Sequence, residues 1–342
     1  MMELGDRKKK ILKAIVTDYI ETAEPVGSRT IAKKYLTDIS PATIRNEMAD
    51  LEDLGLLEQP HTSAGRIPSD RGYRYYVDQI MEVKYPSPQE IEKIKYMLQI
   101  QTINELDKII KRTTKLLSDI TKYTSAVLTP SVRKSSIRSL QLIRVSDYDI
   151  VAVVVTDTGI IKNVVIKSPN AVDDAKILKL NNILNDKLSG LTINDIGLTV
   201  ISDIQSHMRE YSEIFSAIIS VVYESLKEDD SEIYLEGTTN IFDYPEYDDK
   251  DKARRFLSFI EDKKLLTNVF SEDENDFCVS IGCENGNEKI KDCSIVKATY
   301  NIADKTVGTI GIIGPKRMDY ARVVGILKSI SNILNEVFEK TL

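Results

Sequence analysis

Apolar residues recur every three or four positions at the start of the chain, and the breaks between these runs outline its first domain. From about Arg7 to Glu21, Ile11, Leu12, Ile15, Val16, Tyr19 and Ile20 fall on one side of a helix. Glu24-Pro25-Val26-Gly27 interrupts it, and Ser28 is placed to cap a short second helix to about Lys34, anchored by Ile31. Tyr35 to Ile39 reads as a turn. A third helix starts at Ser40, a residue that suits the N-cap, with Pro41 at the first helical position, where a missing N–H costs nothing. Ile44, Met48 and Leu51 face inward at helical spacing and leave Ala42, Arg45, Asn46 and Ala49 on the opposite side. Gly55 ends this helix and Leu56-Leu57 opens a strand. His61-Thr62-Ser63-Ala64-Gly65-Arg66 is then a hairpin tip before Ile67-Pro68. Three helices and a hairpin in this order predict a winged helix-turn-helix.

A helix from Tyr73 to about Val83 follows, broken at Tyr85-Pro86-Ser87-Pro88. Residues 87–121 carry Ile91, Ile94, Leu98, Leu106, Ile109, Leu117 and Ile120, a long amphipathic helical stretch. Period-two runs at 139–145, 150–156 and 160–167 predict consecutive strands, and a helix spans about 172–188. Residues 201–226 and 253–270 read as helical, with a strand at 232–236 between them. Strands at 277–281, 294–301 and 307–313 precede a closing helix from Tyr320 to Phe338. Strands and helices joined antiparallel imply an α+β body.

The third helix carries the chemistry. Arg and Asn are the side chains that bond bidentately to guanine and adenine edges, and flanking alanines allow close backbone approach, so Arg45 and Asn46 are assigned to base reading. Ser40 and Thr43 are phosphate candidates through their hydroxyls and the helix N-terminus. Ser28 and Arg29, opening the second helix, are phosphate candidates too, with capping and solvation as the plain alternative. Arg66 on the hairpin is assigned to a minor groove or a phosphate. Tyr73, Tyr75 and Tyr76 read as packing.

Charge at first argues against a nucleic-acid partner: 46 Lys and Arg against 53 Asp and Glu give a net −7. The excess is regional. Residues 229–276 hold 15 acidic and 6 basic residues, a local −9, so the remainder is +2. Arg7-Lys8-Lys9-Lys10 adds a basic stretch near the amino terminus. The acidic block reads as solvated surface. Cys278, Cys283 and Cys293 lack a CxxC pair, and His61 and His207 lie far off in sequence, so reduced cysteines on buried strands are expected and no metal or cofactor. No apolar run approaches membrane-spanning length, and Lys13 and Asp18 interrupt what could have been a signal peptide, so a cytoplasmic protein is expected. Gly308, Gly311 and Gly314 lead to Pro315-Lys316 without the spacing of a phosphate-binding loop, and they are read as glycines on a strand that passes close to another element. With two histidines and no nucleophile–base set, the chain is not read as an enzyme.

Three stretches resemble one known family. They are Ser40 through Glu52, Ser63 through Asp78 (SAGRIPSDRGYRYYVD), and Gly308 through Tyr320 (GTIGIIGPKRMDY). All three are similar to the signature of the heat-inducible transcription repressors of the HrcA type, which implies a winged-helix head, a GAF-like antiparallel-sheet body and an inserted dimerisation domain. The segmentation this suggests is a head at 1–84, a helical linker at 85–136, GAF-like parts at 137–189 and 266–342, and the insertion at 190–265. The resemblance further implies a homodimer on an inverted-repeat (CIRCE-type) operator of double-stranded DNA upstream of chaperone operons, with activity set by the chaperonin GroEL. A winged-helix regulator controlled by a small ligand in the GAF-like domain is the alternative.

Overall fold

The computed structural model describes residues 4–61, 64–98, 106–129, 136–157, 161–192, 195–196, 198–207, 215, 218–219, 232–271, 276–302 and 305–341. The head is built from α1 (Asp6–Thr22), α2 (Ser28–Lys34), α3 (Pro41–Asp53), β1 (Leu57–Glu58), β2 (Ile67–Pro68) and α4 (Asp70–Gln79). Ile11, Leu12, Ile15, Ile31, Ile44 and Leu51 are fully buried between its helices. Ala23, in the left-handed region at φ 58°, ends α1. The two short strands pair antiparallel, Leu57 opposite Pro68 and Glu58 opposite Ile67.

Helix α4 starts three residues earlier than expected. The Ser69 hydroxyl accepts from the Gly72 N–H at 3.0 Å, and Asp70 occupies the first turn, where a carboxylate suits the helix dipole. Tyr73, Tyr75 and Tyr76 are buried, in keeping with their reading as packing residues.

The stretch read as one helix over 87–121 contains two, α5 (Pro88–Leu98) and α6 (Leu106–Thr121), and the residues between them lie outside the described ones. A capping box opens α5: Glu90 accepts from the Ser87 N–H and hydroxyl, both at 2.8 Å. Strand β3 (Thr124–Leu128) follows, a run buried at every position that had been assigned to a helical linker. Strands β4 (Ile137–Arg144), β5 (Asp149–Thr156) and β6 (Ile161–Lys167) come next, then α7 (Asp174–Leu188) and α8 (Leu198–His207). Most of the expected helix at 201–226 lies outside the described residues. The chain continues with β7 (Ile233–Glu236), α9 (Lys250–Glu261), α10 (Lys263–Ser271), β8 (Phe277–Ile281), β9 (Cys293–Ile302), β10 (Lys305–Pro315) and α11 (Tyr320–Thr341). The helix expected over 253–270 is divided at Asp262, which leaves helical geometry and accepts from the Leu265 N–H at 3.1 Å, capping α10.

The strands do not share one sheet. The five-stranded sheet runs β7-β3-β10-β9-β8, antiparallel throughout, while β4-β5-β6 forms a separate antiparallel sheet. The strands within 137–189, expected to share a GAF-like domain with those within 266–342, thus lie in a separate sheet. Strand β7 pairs with β3 in the larger sheet, and helices α9 and α10 pack on it. The physical reason is the core: Leu140, Leu142, Ile150, Ala152 and Val154 bury one face of the small sheet against Leu180 and Leu184 of α7. A strand alternates its faces, so β3 sends Val127 to one side of the large sheet and Ala126 and Leu128 to the other. On the first side, Ile310, Ile312 and Val296 pack with Val323, Leu327 and Ile330 of α11. On the second, Ile295 and Ile313 pack with Phe256, Phe259, Leu266 and Phe270 of α9 and α10.

The glycine run on β10 has the role expected of it. A Cβ on Gly311 would lie 2.6 Å from Phe270 Cε1, one on Gly314 2.8 Å from Tyr123 Cδ1, and one on Gly308 would meet the Tyr300 hydroxyl. Of the cysteines, Cys293 is buried at the start of β9 and Cys278 half-buried on β8, but Cys283 is exposed in a 3₁₀ turn rather than on a strand. No described helix is long and apolar enough to cross a membrane.

Candidate nucleic-acid interface

Helix α3 is set by its first and buried positions. The Ser40 hydroxyl accepts from the Thr43 N–H at 3.2 Å and shares a 2.9 Å hydrogen bond with the Thr43 hydroxyl, so these two residues form the cap together. Ile44, Met48 and Leu51 lock the inner face into the head core. Pro41, Ala42, Arg45, Asn46 and Ala49 are exposed. The outward residues are thus those anticipated, and the positive end of the helix dipole sits beside them.

Four carboxylates lie along α3, and basic residues of the head meet three of them. Lys8 bridges Glu47 and Asp50 at 2.8 and 2.9 Å, and Arg7 reaches Glu47 at 3.4 Å. Hydrogen bonding to Glu47 and then Asp50 raises the Lys8 pKa, keeping it charged. The basic stretch near the amino terminus therefore lies on α1, where two of its residues neutralise α3. Arg66 meets Glu52, Nε at 2.8 Å and Nη2 at 2.7 Å from the same carboxylate oxygen. Arg45, the one cation on α3, has no ion-pair partner among the described residues.

The wing is fastened at its base. Val26 and Arg66 exchange backbone hydrogen bonds, both at 2.9 Å, joining the α1–α2 loop to the hairpin. A Cβ on Gly65 would collide with the Val26 carbonyl, so only glycine admits this approach. Gln59 Nε2 donates to the Ala64 carbonyl at 3.1 Å across the hairpin. Thr62 and Ser63 lie outside the described residues.

On α2, Gly27 rather than Ser28 is the N-cap; Ser28 is the first helical residue and its side chain makes no capping bond. This corrects its expected local role and leaves its hydroxyl at the helix N-terminus. Arg29 is exposed and has no ion-pair partner among the described residues. Lys34 binds the buried Asp18 and the exposed Glu21, each at 2.9 Å, and Tyr35 also donates to Asp18 at 3.1 Å. Ser40, Thr43, Arg45 and Asn46 thus share the first two turns of α3. Arg66 joins that helix through Glu52, and Ser28 and Arg29 open the neighbouring helix.

Sequence reasoning missed the contact between head and body. Asp70, at the start of α4, accepts from Lys316 Nζ at 2.7 Å and from the Cys283 N–H at 3.0 Å. Burial alone would raise its pKa, but the Lys316 ammonium and the Cys283 N–H outweigh burial and hold the carboxyl below its ordinary value. Arg74 Nε donates to Glu284 at 2.9 Å, and its Nη2 also reaches the Val279 carbonyl. Arg317 Nη1 donates to the Ile20 carbonyl at 3.0 Å, and the Tyr73 and Tyr320 rings lie 5.8 Å apart. The advance signals were two of the family-like stretches: Ser63–Asp78 supplies Asp70, Tyr73 and Arg74, and Gly308–Tyr320 supplies Lys316, Arg317 and Tyr320 facing them.

Comparison with known proteins places these features in a context. The family model described as "Winged helix-turn-helix transcription repressor, HrcA DNA-binding" matches residues 3–80, and "HrcA protein C terminal domain" matches 107–324. A heat-inducible transcription repressor HrcA of Clostridium perfringens (strain 13) is 49% identical over 337 residues, covering 98% of this chain and 99% of that protein. One from Clostridium botulinum (strain Alaska E43) is 46% identical over 340 residues, with 98% and 99% covered. A crystal structure titled only as a hypothetical protein shares 26% identity and superposes with a TM-score of 0.60 over 99% of each chain.

Proposed function

This chain belongs to the HrcA family of heat-inducible transcription repressors, and we propose that it represses chaperone operons from an inverted-repeat, CIRCE-type operator, as a homodimer whose active fraction depends on the chaperonin GroEL. It is a regulator with a winged-helix DNA-binding domain rather than an enzyme. The observation that carries the finer reading is the exposed face of α3, where Arg45 and Asn46 are free to meet base edges beside a capped, positive helix end. Ser40 and Thr43 are placed to meet a phosphate at that end. Ser28 and Arg29 hold a neighbouring phosphate from α2, and Arg66 meets the backbone or minor groove from the wing with donors not used by Glu52.

The dimer reading rests on the small sheet. Its outer face leaves Ile143, Ile161 and Val165 exposed at 46, 62 and 65%, beside the half-buried Val151, Val153 and Val155. We assign the inserted dimerisation unit to this sheet with α7 and α8, and the GAF-like domain to the five-stranded sheet. Two-fold symmetry would then match a palindromic site, one head to each half. Family membership supports the chaperonin and a cytoplasmic location as parts of this reading. Fluorescence anisotropy on an inverted-repeat duplex, with and without chaperonin, tests the reading against the same duplex with one half-site scrambled. Tight binding that collapses on scrambling and rises with chaperonin is expected; equal, weak binding to both duplexes would refute it.

A further inference from the structure

A groove of about 670 Å³ lies where the segment leaving the head crosses the helical layer of the body. Its volume is that of sites for small organic ligands. Ile94 of α5, Leu116 and Ile120 of α6 and Ile326 of α11 form an apolar floor, with Met97 at one side. The rim is cationic: Lys84, Lys93, Lys122 and Arg322 line it, all exposed and none with an ion-pair partner among the described residues. Two carboxylates share the rim, Glu90 and Asp119. Glu90 is held first by Ser87, whose N–H and hydroxyl it accepts in capping α5, and the charge of Arg322 acts on it only secondarily, without an ion pair. The rim thus carries two surplus positive charges over an apolar trench.

We propose that this groove binds a single acyl chain with a carboxylate head, the chain along Ile94, Leu116, Ile120 and Ile326 and the carboxylate among Lys84, Lys122 and Arg322. An apolar floor alone would not select the head group. The unpaired cations do, because each gains a charge-assisted hydrogen bond that no neighbouring residue supplies. The position gives binding a consequence. The Lys84 N–H donates to the Ala321 carbonyl at 3.0 Å, so the segment between head and body is fixed to α11 at the groove's edge. A ligand touching Lys84 and Tyr85 on one side and α6 and α11 on the other links its own affinity to the head's position, and so to DNA affinity. That coupling rests on the DNA-reading assignment above; the site itself does not.

The test is calorimetric titration of the full chain with dodecanoate below its micelle concentration, in the absence of DNA. One saturable site per chain is expected, weakened about tenfold or more by the double reversal Lys122→Glu, Arg322→Glu, both at exposed positions. Ile326→Trp, which fills the floor, should abolish binding. Should that variant not fold, Lys84→Glu is the second charge test. Dodecyltrimethylammonium and dodecyl maltoside should bind at least tenfold more weakly than dodecanoate. No saturable heat, equal affinity for the three amphiphiles, or indifference to the double reversal would overturn the proposal. So would capture on phosphatidylglycerol vesicles without binding of the monomeric acid, or a change of sedimentation coefficient on reversal, which would give the groove to a membrane or to a second copy. Dodecanoate should also shift the Kd for the operator duplex in the wild type but not in the double variant; an unchanged Kd with the site intact overturns the coupling. Failure of the DNA-free titration leaves the DNA-reading assignment untouched.

Discussion

Arg66 offers the sharpest test of the interface, because the structure gives it a protein partner and the proposed function gives it a DNA partner. Its guanidinium places Nε and Nη2 on one Glu52 oxygen, with the two side chains 19 and 33% exposed. A half-buried pair of this kind contributes about 1 kcal/mol, the upper end of the range for exposed pairs. Arg66→Ala therefore does two things to DNA affinity. It removes one phosphate contact, which lowers the slope of log K against log salt by about 0.9, or about 3.5-fold in affinity between 50 and 200 mM salt. It also leaves Glu52 uncovered, and a carboxylate roughly 8 Å from a phosphate costs about 0.5 kcal/mol in water before screening. The two effects separate in a four-way comparison of wild type, Arg66→Ala, Glu52→Gln and the double variant, measured by anisotropy at several salt concentrations. The salt slope should fall in both variants that lack Arg66, and the double variant should recover only the part due to Glu52. A wild-type slope in Arg66→Ala, together with full recovery in the double variant, would refute the phosphate contact and leave Arg66 as a neutraliser of Glu52.

Arg45→Ala should cost about 1–3 kcal/mol on the operator and relax preference at one base pair, as read by competition with single-substitution duplexes; equal losses on operator and random DNA would sink its base-reading role. Asp70 predicts an acid dependence. Its pKa is lowered in the folded chain, so its contribution is fully present above the ordinary carboxylate value and is lost as pH falls through the lower folded value. Amide exchange at the α4–body contact should therefore quicken below about pH 4, and Asp70→Asn should quicken it at neutral pH; an unchanged profile would show that the ion pair does not hold the head. Gly311→Ala drives a methyl against Phe270 and should destabilise the body by about 1–3 kcal/mol, with partial relief from Phe270→Leu in thermal unfolding.

The head was legible because its signals are local. A Ser-Pro helix start, three apolar residues at helical spacing and a glycine stop fix α3 within the 16 residues from Ser40 to Gly55, and the structure keeps each. The body was less so, because sheet membership is a long-range property. β3 is only five small or apolar residues, Thr124-Ser125-Ala126-Val127-Leu128, and nothing nearby tells that its partners are β7 and β10, more than a hundred residues downstream. By contrast, β4, β5 and β6 follow one another closely in sequence and were read correctly as strands, but their alternation does not say which helices cover them. The pairing of charges was equally hidden. Lys8 and Glu47 are 39 positions apart, Asp70 and Lys316 farther still, and composition alone shows neither the neutralised helix nor the docked head.

The way charge is spent explains how an acidic chain can carry a selective DNA reader. Non-specific affinity for DNA is mostly counterion release, and it scales with the number of free cations a protein brings to the phosphates. Here Arg7, Lys8 and Arg66 are engaged with carboxylates of α3, and Lys34 with Asp18 and Glu21. On α2 and α3 themselves, Arg29 and Arg45 are exposed without an ion pair among the described residues, and Arg66 keeps donors that Glu52 does not use. On the proposed reading, each cation engaged with a carboxylate adds less to non-specific binding, while the bidentate contacts proposed for Arg45 and Asn46 keep their full value at a matching site. Specificity is the difference between those two affinities. On that reading the internal ion pairs would enlarge it by lowering the non-specific term, and the net −9 of residues 229–276, otherwise solvated surface, would act in the same direction.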